Sequence, residues 1–220
     1  MKTEPDRLDP LAKAVAKAAP DFDGEQQRIA LEVYRRLAEG SPAPASEVAA
    51  RAGVKVDRVR ELLATWPGVY LDADGSAVGF WGLTINELSP THRLEVHGRE
   101  LFAWCAWDTL FLPGVLEATA SVQSVCPTTD EAITLVVSPA GVVETSHSSA
   151  VVSFLVPDRD FVADVIQSFC HFVHFFTSPD AGEAWIATHP GTFLLSLEDA
   201  FELGRLVNAL NFPSALGSGR

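Results

Sequence analysis

VYLDADGSAVGFWGLTI, residues 69–85, decides how the first part of this chain is read. Its apolar positions alternate about a DADG turn, which predicts a β-hairpin. Three helical patterns precede it. GEQQRIALEVYRRLAEG (24–40) sets Ile29, Val33 and Leu37 on one stripe and stops at Gly40. After the short linker SPAPAS, Ser46 is expected to cap a second helix, EVAARAG, closed by Gly53. KVDRVRELLAT (55–65) is expected to turn Val56, Val59, Leu62 and Leu63 inward. Three helices and a hairpin over residues 23–90 make a winged-helix pattern. Such a domain can read DNA through its third helix, here with Lys55, Arg58 and Arg60, or can serve as structure alone. Residues 23–90 hold seven Lys/Arg against ten Asp/Glu. A phosphate backbone attracts a positive face, so the balance favours structure.

Beyond Pro90 the pattern changes. RLEVHGRELFAWCAWDTLFLPGVLEA reads as a strand-like piece followed by a mostly buried helix. ASVQSVC, ITLVVSP, GVVET and AVVSFLV are short β-type runs between turn residues. DFVADVIQSF has helical spacing, CHFVHFFTS looks extended, and SPDAGEAWIATHPG and LEDAFELGRLVNAL read as helices. The expected class is α+β: a winged-helix-like three-helix domain, then a mixed or antiparallel sheet flanked by helices over 91–212. Residues 1–22 form a leader expected to be flexible or partly helical, and residues 213–220 a disordered tail.

The bulk numbers narrow the function. The 220 residues are 47% apolar and 20% charged, with a net charge of −13. An acidic chain is a poor non-specific binder of nucleic acid or anionic membrane. No apolar run reaches the roughly 18 residues of a membrane span, and the N-terminus lacks the apolar core of a signal peptide. Cys105, Cys126 and Cys170 are the only cysteines. An odd, sparse set argues against a disulfide framework and for a cytoplasmic chain with reduced thiols. Phosphate-loop, G-x-S-x-G and H-E-x-x-H patterns are absent from the sequence.

The chemistry concentrates in FAWCAWDTLFLP, Phe102 to Pro113, an apolar run holding a thiol and a carboxylate three positions apart. Burying an unpaired carboxylate costs several kcal/mol, which protonation or a partner relieves. On one helix, Cys105 and Asp108 would share a face. Trp104 and Trp107 would dry the space and favour a protonated Asp108, a proton donor beside a thiol. Equally, Asp108 could cap a helix beginning at Thr109. Cys170 lies in QSFCHFVHFF, where a strand would place Cys170, Phe172 and His174 on one face and His171 on the other. Those side chains suit a metal or a hydrogen-bonded core, but not the ligand spacing of structural zinc. Cys126 precedes Pro127 at a turn and is uninformative alone.

Taken together, FAWCAWDTLFLP, SVC at 124–126 and QSFCHFVHFF at 167–176 resemble the organomercurial (alkylmercury) lyases. The likeness runs from about residue 98 to about Leu210, and the helical front end is similar to that family's N-terminal domain. The resemblance implies that Cys105 and Cys170 grip mercury, that Asp108 works with them, and that Cys126 is mainly structural. Some members carry a further cysteine where this chain has His171, a position that bears on metal hand-off. It implies protonolysis of R–Hg⁺ to R–H, leaving Hg(II) between two thiolates, soft ligands suited to a soft ion. Phe102, Trp104, Trp107, Phe169 and Phe172 would line the site. No organic cofactor is implied; small thiols, or the cysteines of a mercuric reductase, would remove the product. The rival expectations are a cysteine-based soft-metal sensor with a winged-helix domain and no lyase activity, or a thiol enzyme using His171 or His174 as base.

Overall fold

The computed structural model describes residues 8–157, 165–214 and 216. Helix α1 (Leu8–Ala18) lies in the leader and buries Leu8, Ala12 and Val15. Helix α2 (Gly24–Ala38) opens with a reciprocal cap. Asp23 Oδ1 accepts from the Gln26 N–H, and Gln26 Oε1 accepts from the Asp23 N–H, both at 2.9 Å. Helices α3 (Ala45–Ala52) and α4 (Val56–Thr65) follow.

Two details differ from the sequence reading. Ser46 is not a cap, because α3 already begins at Ala45 behind Pro44. Proline fixes an entry angle there without needing a side-chain acceptor. Val56 is 36% exposed rather than inward, since it opens α4 at the rim of the domain.

Strands β1 (Val69–Leu71) and β2 (Ala77–Phe80) form the expected hairpin. Its turn is held by Asp72 Oδ1, which accepts from the Asp74 and Ser76 N–H groups. The hairpin does not end there. Strand β3 (Leu83–Thr84) pairs with β2 on one side and with β5 (Arg99–Ala103) on the other. Strand β4 (His92–Val96) joins β5 through His97 and Gly98, both at positive φ, as a two-residue primed turn requires. Helix α5 (Asp108–Leu116) comes next, then β6 (Ala120–Val125), β7 (Ala132–Ser138) and β8 (Gly141–Thr145). One antiparallel sheet therefore runs β1-β2-β3-β5-β4-β6-β7-β8 through both halves of the chain.

A second antiparallel sheet is built around β9 (Val151–Leu155). Helix α6 (Val165–Ser168) and a 3-10 turn at Cys170–Phe172 lead to β10 (Phe175–Phe176), and helix α7 (Pro179–Ile186) leads to β11 (Thr192–Ser196). The order is β10-β9-β11. Residues 160–164 of the expected DFVADVIQSF helix lie outside the described residues. CHFVHFFTS is extended only at its end. The 3-10 turn replaces the strand at Cys170, so the alternation proposed for Cys170, Phe172 and His174 does not hold.

Helix α8 (Leu197–Asn211) closes the fold and packs on α1 and α5. Gly204 lets it approach closely: a Cβ there would come 2.7 Å from Phe111 Cβ. In the tail, the Ser214 N–H donates to Gln27 Oε1 at 3.1 Å. Among the described residues, no helix is long and apolar enough to cross a membrane.

Candidate active site

The first site segment is not one helix. The run splits into β5, a loop at Trp104–Trp107, and α5 beginning at Asp108. An almost wholly apolar sequence carries no helical periodicity to mark the break. The loop is tied at both ends. The Trp104 N–H donates to the Gly82 carbonyl at 3.0 Å, and the Ala106 N–H to the Val173 carbonyl at 3.2 Å. The second tie brings in the segment that carries Cys170.

That segment is fixed in turn by Ser153 on β9, which is fully buried. Ser153 Oγ donates to the Phe172 carbonyl at 2.8 Å and accepts from the His174 N–H at 2.9 Å. The Val173 N–H closes on the Cys170 carbonyl at 3.1 Å. A tight turn with these anchors sets Cys170 opposite the loop of Cys105.

Cys105, Asp108 and Cys170 consequently meet. One ligand atom from each lies within 4.8 Å of the other two, and all three residues are buried. No other such group of three occurs among the described residues. Metal–thiolate bonds near 2.3 Å in zinc sites would let two collinear bonds span about 4.6 Å. The spacing therefore suits one large soft ion held between the two sulfurs, with the carboxylate beside it.

Asp108 does not cap its own helix. Its Oδ2 turns back and accepts from the Cys105 N–H at 2.8 Å. Burial raises its carboxyl to about 7, against hydrogen bonds from the Cys105 thiol and from backbone N–H groups that hold it down. At neutral pH both protonation states are populated, as needed in a group that takes a proton and returns it. Burial also pushes the Cys105 thiol well up, helped by its contacts with Cys170 and Asp108. Cys105 is thus a neutral thiol that needs a base before it can act.

A cavity of about 60 Å³ opens on Asp108 and Cys170, with the fully buried Cys105 behind its lining. Trp104, Trp107, Phe169, Asp108 and Cys170 line it. Phe102 and Phe172 do not. Phe102, on β5, carries the Arg93 guanidinium over its ring at 5.7 Å. Phe172 packs edge-on to His171 and His189. Each points away because the backbone around it is a strand or a 3-10 turn rather than the shape assumed.

Sequence reasoning missed part of the lining. Val15, Ala19 and Phe22 come from the leader, Tyr34 from α2, Trp81 and Gly82 from the hairpin's end, and Asn208 from α8. Gly82 has φ +92°, and a lone glycine in a strand pattern is the sequence signal for such a close approach. A Cβ on Gly82 would lie 2.8 Å from Asp108 Cγ.

The remaining candidates sit apart. Burial lowers His174 to about 4, and its Nε2 contacts the His171 carbonyl at 2.9 Å, so it is occupied by backbone rather than by a thiol. Burial pushes the Cys126 thiol up, but hydrogen bonds from Thr129 and from the N–H groups of Thr177, Thr128 and Thr129 outweigh this and leave it low.

Comparison with known proteins gives the chain's relatives. A family model described as alkylmercury lyase matches residues 87–208. A second, described as the helix-turn-helix domain of alkylmercury lyase, matches residues 9–81. An alkylmercury lyase of Staphylococcus epidermidis is 46% identical over 178 residues, 80% of each chain. One of Bacillus cereus is 42% identical over 176 residues, 80% of this chain and 78% of the relative. The crystal structure of the mercury-bound form of MerB2 superposes with a TM-score of 0.73 at 25% identity, covering 92% of this chain and 98% of that one.

Proposed function

The chain belongs to the alkylmercury lyase family and is an enzyme of carbon–mercury bond cleavage; on that premise we propose that Cys105, Cys170 and Asp108 carry the reaction. The observation that supports this most directly is the buried meeting of two thiols and one raised carboxyl within 4.8 Å.

Cys105 attaches to the mercury of R–Hg⁺ and passes its proton to Asp108. Cys170 adds as the second sulfur. Two sulfur donors push electron density onto the carbon, and Asp108 returns its proton there. The carbon–mercury bond breaks as the carbon–hydrogen bond forms, R–H leaves, and Hg²⁺ stays between the sulfurs. The thiols bring two protons; one ends on carbon and the other goes to solvent. Proton transfer by a positioned group contributes about 10²–10⁴-fold, so sulfur donation and proximity supply the rest.

No organic cofactor enters these steps. Small thiols in excess, or the cysteines of a mercuric reductase, remove Hg²⁺ by exchange, with His171 at the position that bears on hand-off. The cytoplasm, where such thiols abound, is the proposed location, in keeping with three unbridged cysteines. Nucleic acid is not a proposed partner. Arg58 pairs with Glu25 and Glu61, and Arg60 with Asp57, so the third helix's arginines are met by acids of this chain.

The test is direct. Purified protein with phenylmercuric acetate and excess thiol should release benzene, read by gas chromatography, in proportion to enzyme; no benzene above the protein-free control overturns the reading. Cys126, bonded to its own turn, is proposed as structural. Cys126→Ala should lower the melting temperature by a few degrees, roughly 1–2 kcal/mol, with cleavage within about twofold of wild type. A lost activity with unchanged melting would contradict that role.

A further inference from the structure

Asp108 is held from two sides. One oxygen takes the Cys105 N–H; the other faces Gly82, whose missing side chain leaves the room it occupies. The Trp81–Gly82 turn is therefore the bed of the acid. That turn is an uncomfortable one. Trp81 has φ +30°, a left-handed conformation that non-glycine residues rarely adopt, and it persists only where its surroundings impose it.

Four bonds hold it. The Trp81 backbone N–H donates to the Gly68 carbonyl at 3.1 Å, and its indole N–H to the Pro67 carbonyl at 2.8 Å. The Gly82 carbonyl accepts from Trp104 N–H. The Trp81 carbonyl accepts from the Tyr34 hydroxyl at 2.8 Å. Tyr34 is buried on α2, in the helix-turn-helix half, with its ring tilted on Phe80 at 4.9 Å. Burial, and then the charge of Asp108, pushes its hydroxyl well above the ordinary range, so it stays a donor.

We propose that Tyr34 is a positioning residue for protonolysis: its hydroxyl pins the Trp81 carbonyl and so fixes the Trp81–Gly82 turn against which the Asp108 carboxyl is aimed. The inference rests on the lyase reading above. It gives the helix-turn-helix half a chemical task, since a helix of that half sets the wall of the acid site. Tyr34 touches no reacting atom in this account; it acts through the turn.

Tyr34→Phe keeps the ring and removes the bond. Single-turnover release of benzene from bound phenylmercury should slow about tenfold, the effect of one lost net hydrogen bond carried to the transition state. Binding of Hg²⁺ by the two sulfurs, read by retention through dialysis, should be unchanged. Gly82→Ala disturbs the same turn from the other side and should slow release at least as much with Hg²⁺ still retained. A Tyr34→Phe rate within twofold of wild type overturns the proposal. So does a Tyr34→Phe protein that loses folding or Hg²⁺ binding along with rate, which marks a structural role. A folded Gly82→Ala protein at full rate does the same. If wild type itself releases no benzene, the lyase reading fails first and this inference falls with it.

Discussion

Cys105→Ala and Cys170→Ala each reduce benzene release from phenylmercuric acetate to the background of the thiol buffer, a loss of at least about 10³-fold. The argument is one of electron count at mercury. A single protein sulfur on R–Hg⁺ gives the same two-coordinate species that any thiol in solution gives, and such species persist. A second sulfur makes the carbon basic enough to take a proton. It is delivered without an entropic cost at the moment of reaction, because Cys105 and Cys170 are already within 4.8 Å of each other in a buried site. The two substitutions should also fail to add. Removing both sulfurs should cost no more than removing one, as for residues that act as a unit. Each single variant should retain mercury weakly, through its remaining thiol, and lose it to dialysis against excess small thiol. Additive losses would mean that the sulfurs act independently, and the paired-thiol account would be wrong.

Much of this was legible in the sequence, and the parts that were not have physical reasons. The hairpin at 69–85 announced itself because alternation and an Asp-rich turn are local signals. The continuation of that hairpin into the main sheet was hidden, because β3 is two residues long and pairs with a strand beyond the supposed boundary at Pro90. Helix propensity could not divide Phe102–Pro113 into strand, loop and helix, because all but Asp108 and Thr109 are apolar and no period stands out. Cys105, Asp108 and Cys170 were singled out by residue type and motif. Their meeting depends on the Ser153 hydroxyl and the Val173 carbonyl, each bonded to backbone of a segment distant in sequence, which no local pattern reports. The lining at Phe102 and Phe172 was misplaced for the same reason: the direction of a side chain follows the local backbone, and that was the feature read wrongly. Tyr34 carried no signal at all, because on α2 it looks like one more apolar-stripe residue.

Asp108→Asn should lower turnover by about 10²–10⁴-fold while both sulfurs still take Hg²⁺. The amide is the right probe. It matches the carboxyl in size, fits against Gly82, and offers an oxygen to the Cys105 N–H, so the geometry at 2.8 Å is kept and only the mobile proton is lost. Phenylmercury should load onto the variant more slowly, for want of the base, and stay, giving a stable protein–organomercury adduct where wild type gives benzene and bound Hg²⁺. The same variant carries a signature in stability. The folded carboxyl, raised to about 7 by burial, holds a proton that the unfolded chain releases near the ordinary carboxylate value. The unfolded state then binds fewer protons through that window, so this group's contribution to stability falls as pH rises from about 4 through about 7. The amide cannot ionise and removes that slope. Melting temperatures compared at pH 5 and pH 8 should drop less on the alkaline side for Asp108→Asn than for wild type, other groups being common to both. A variant that turns over at wild-type rate would show that the proton reaches carbon from elsewhere. A variant with the wild-type pH slope would show that the Asp108 carboxyl is not raised in the folded site, and the stability signature assigned to it would be wrong.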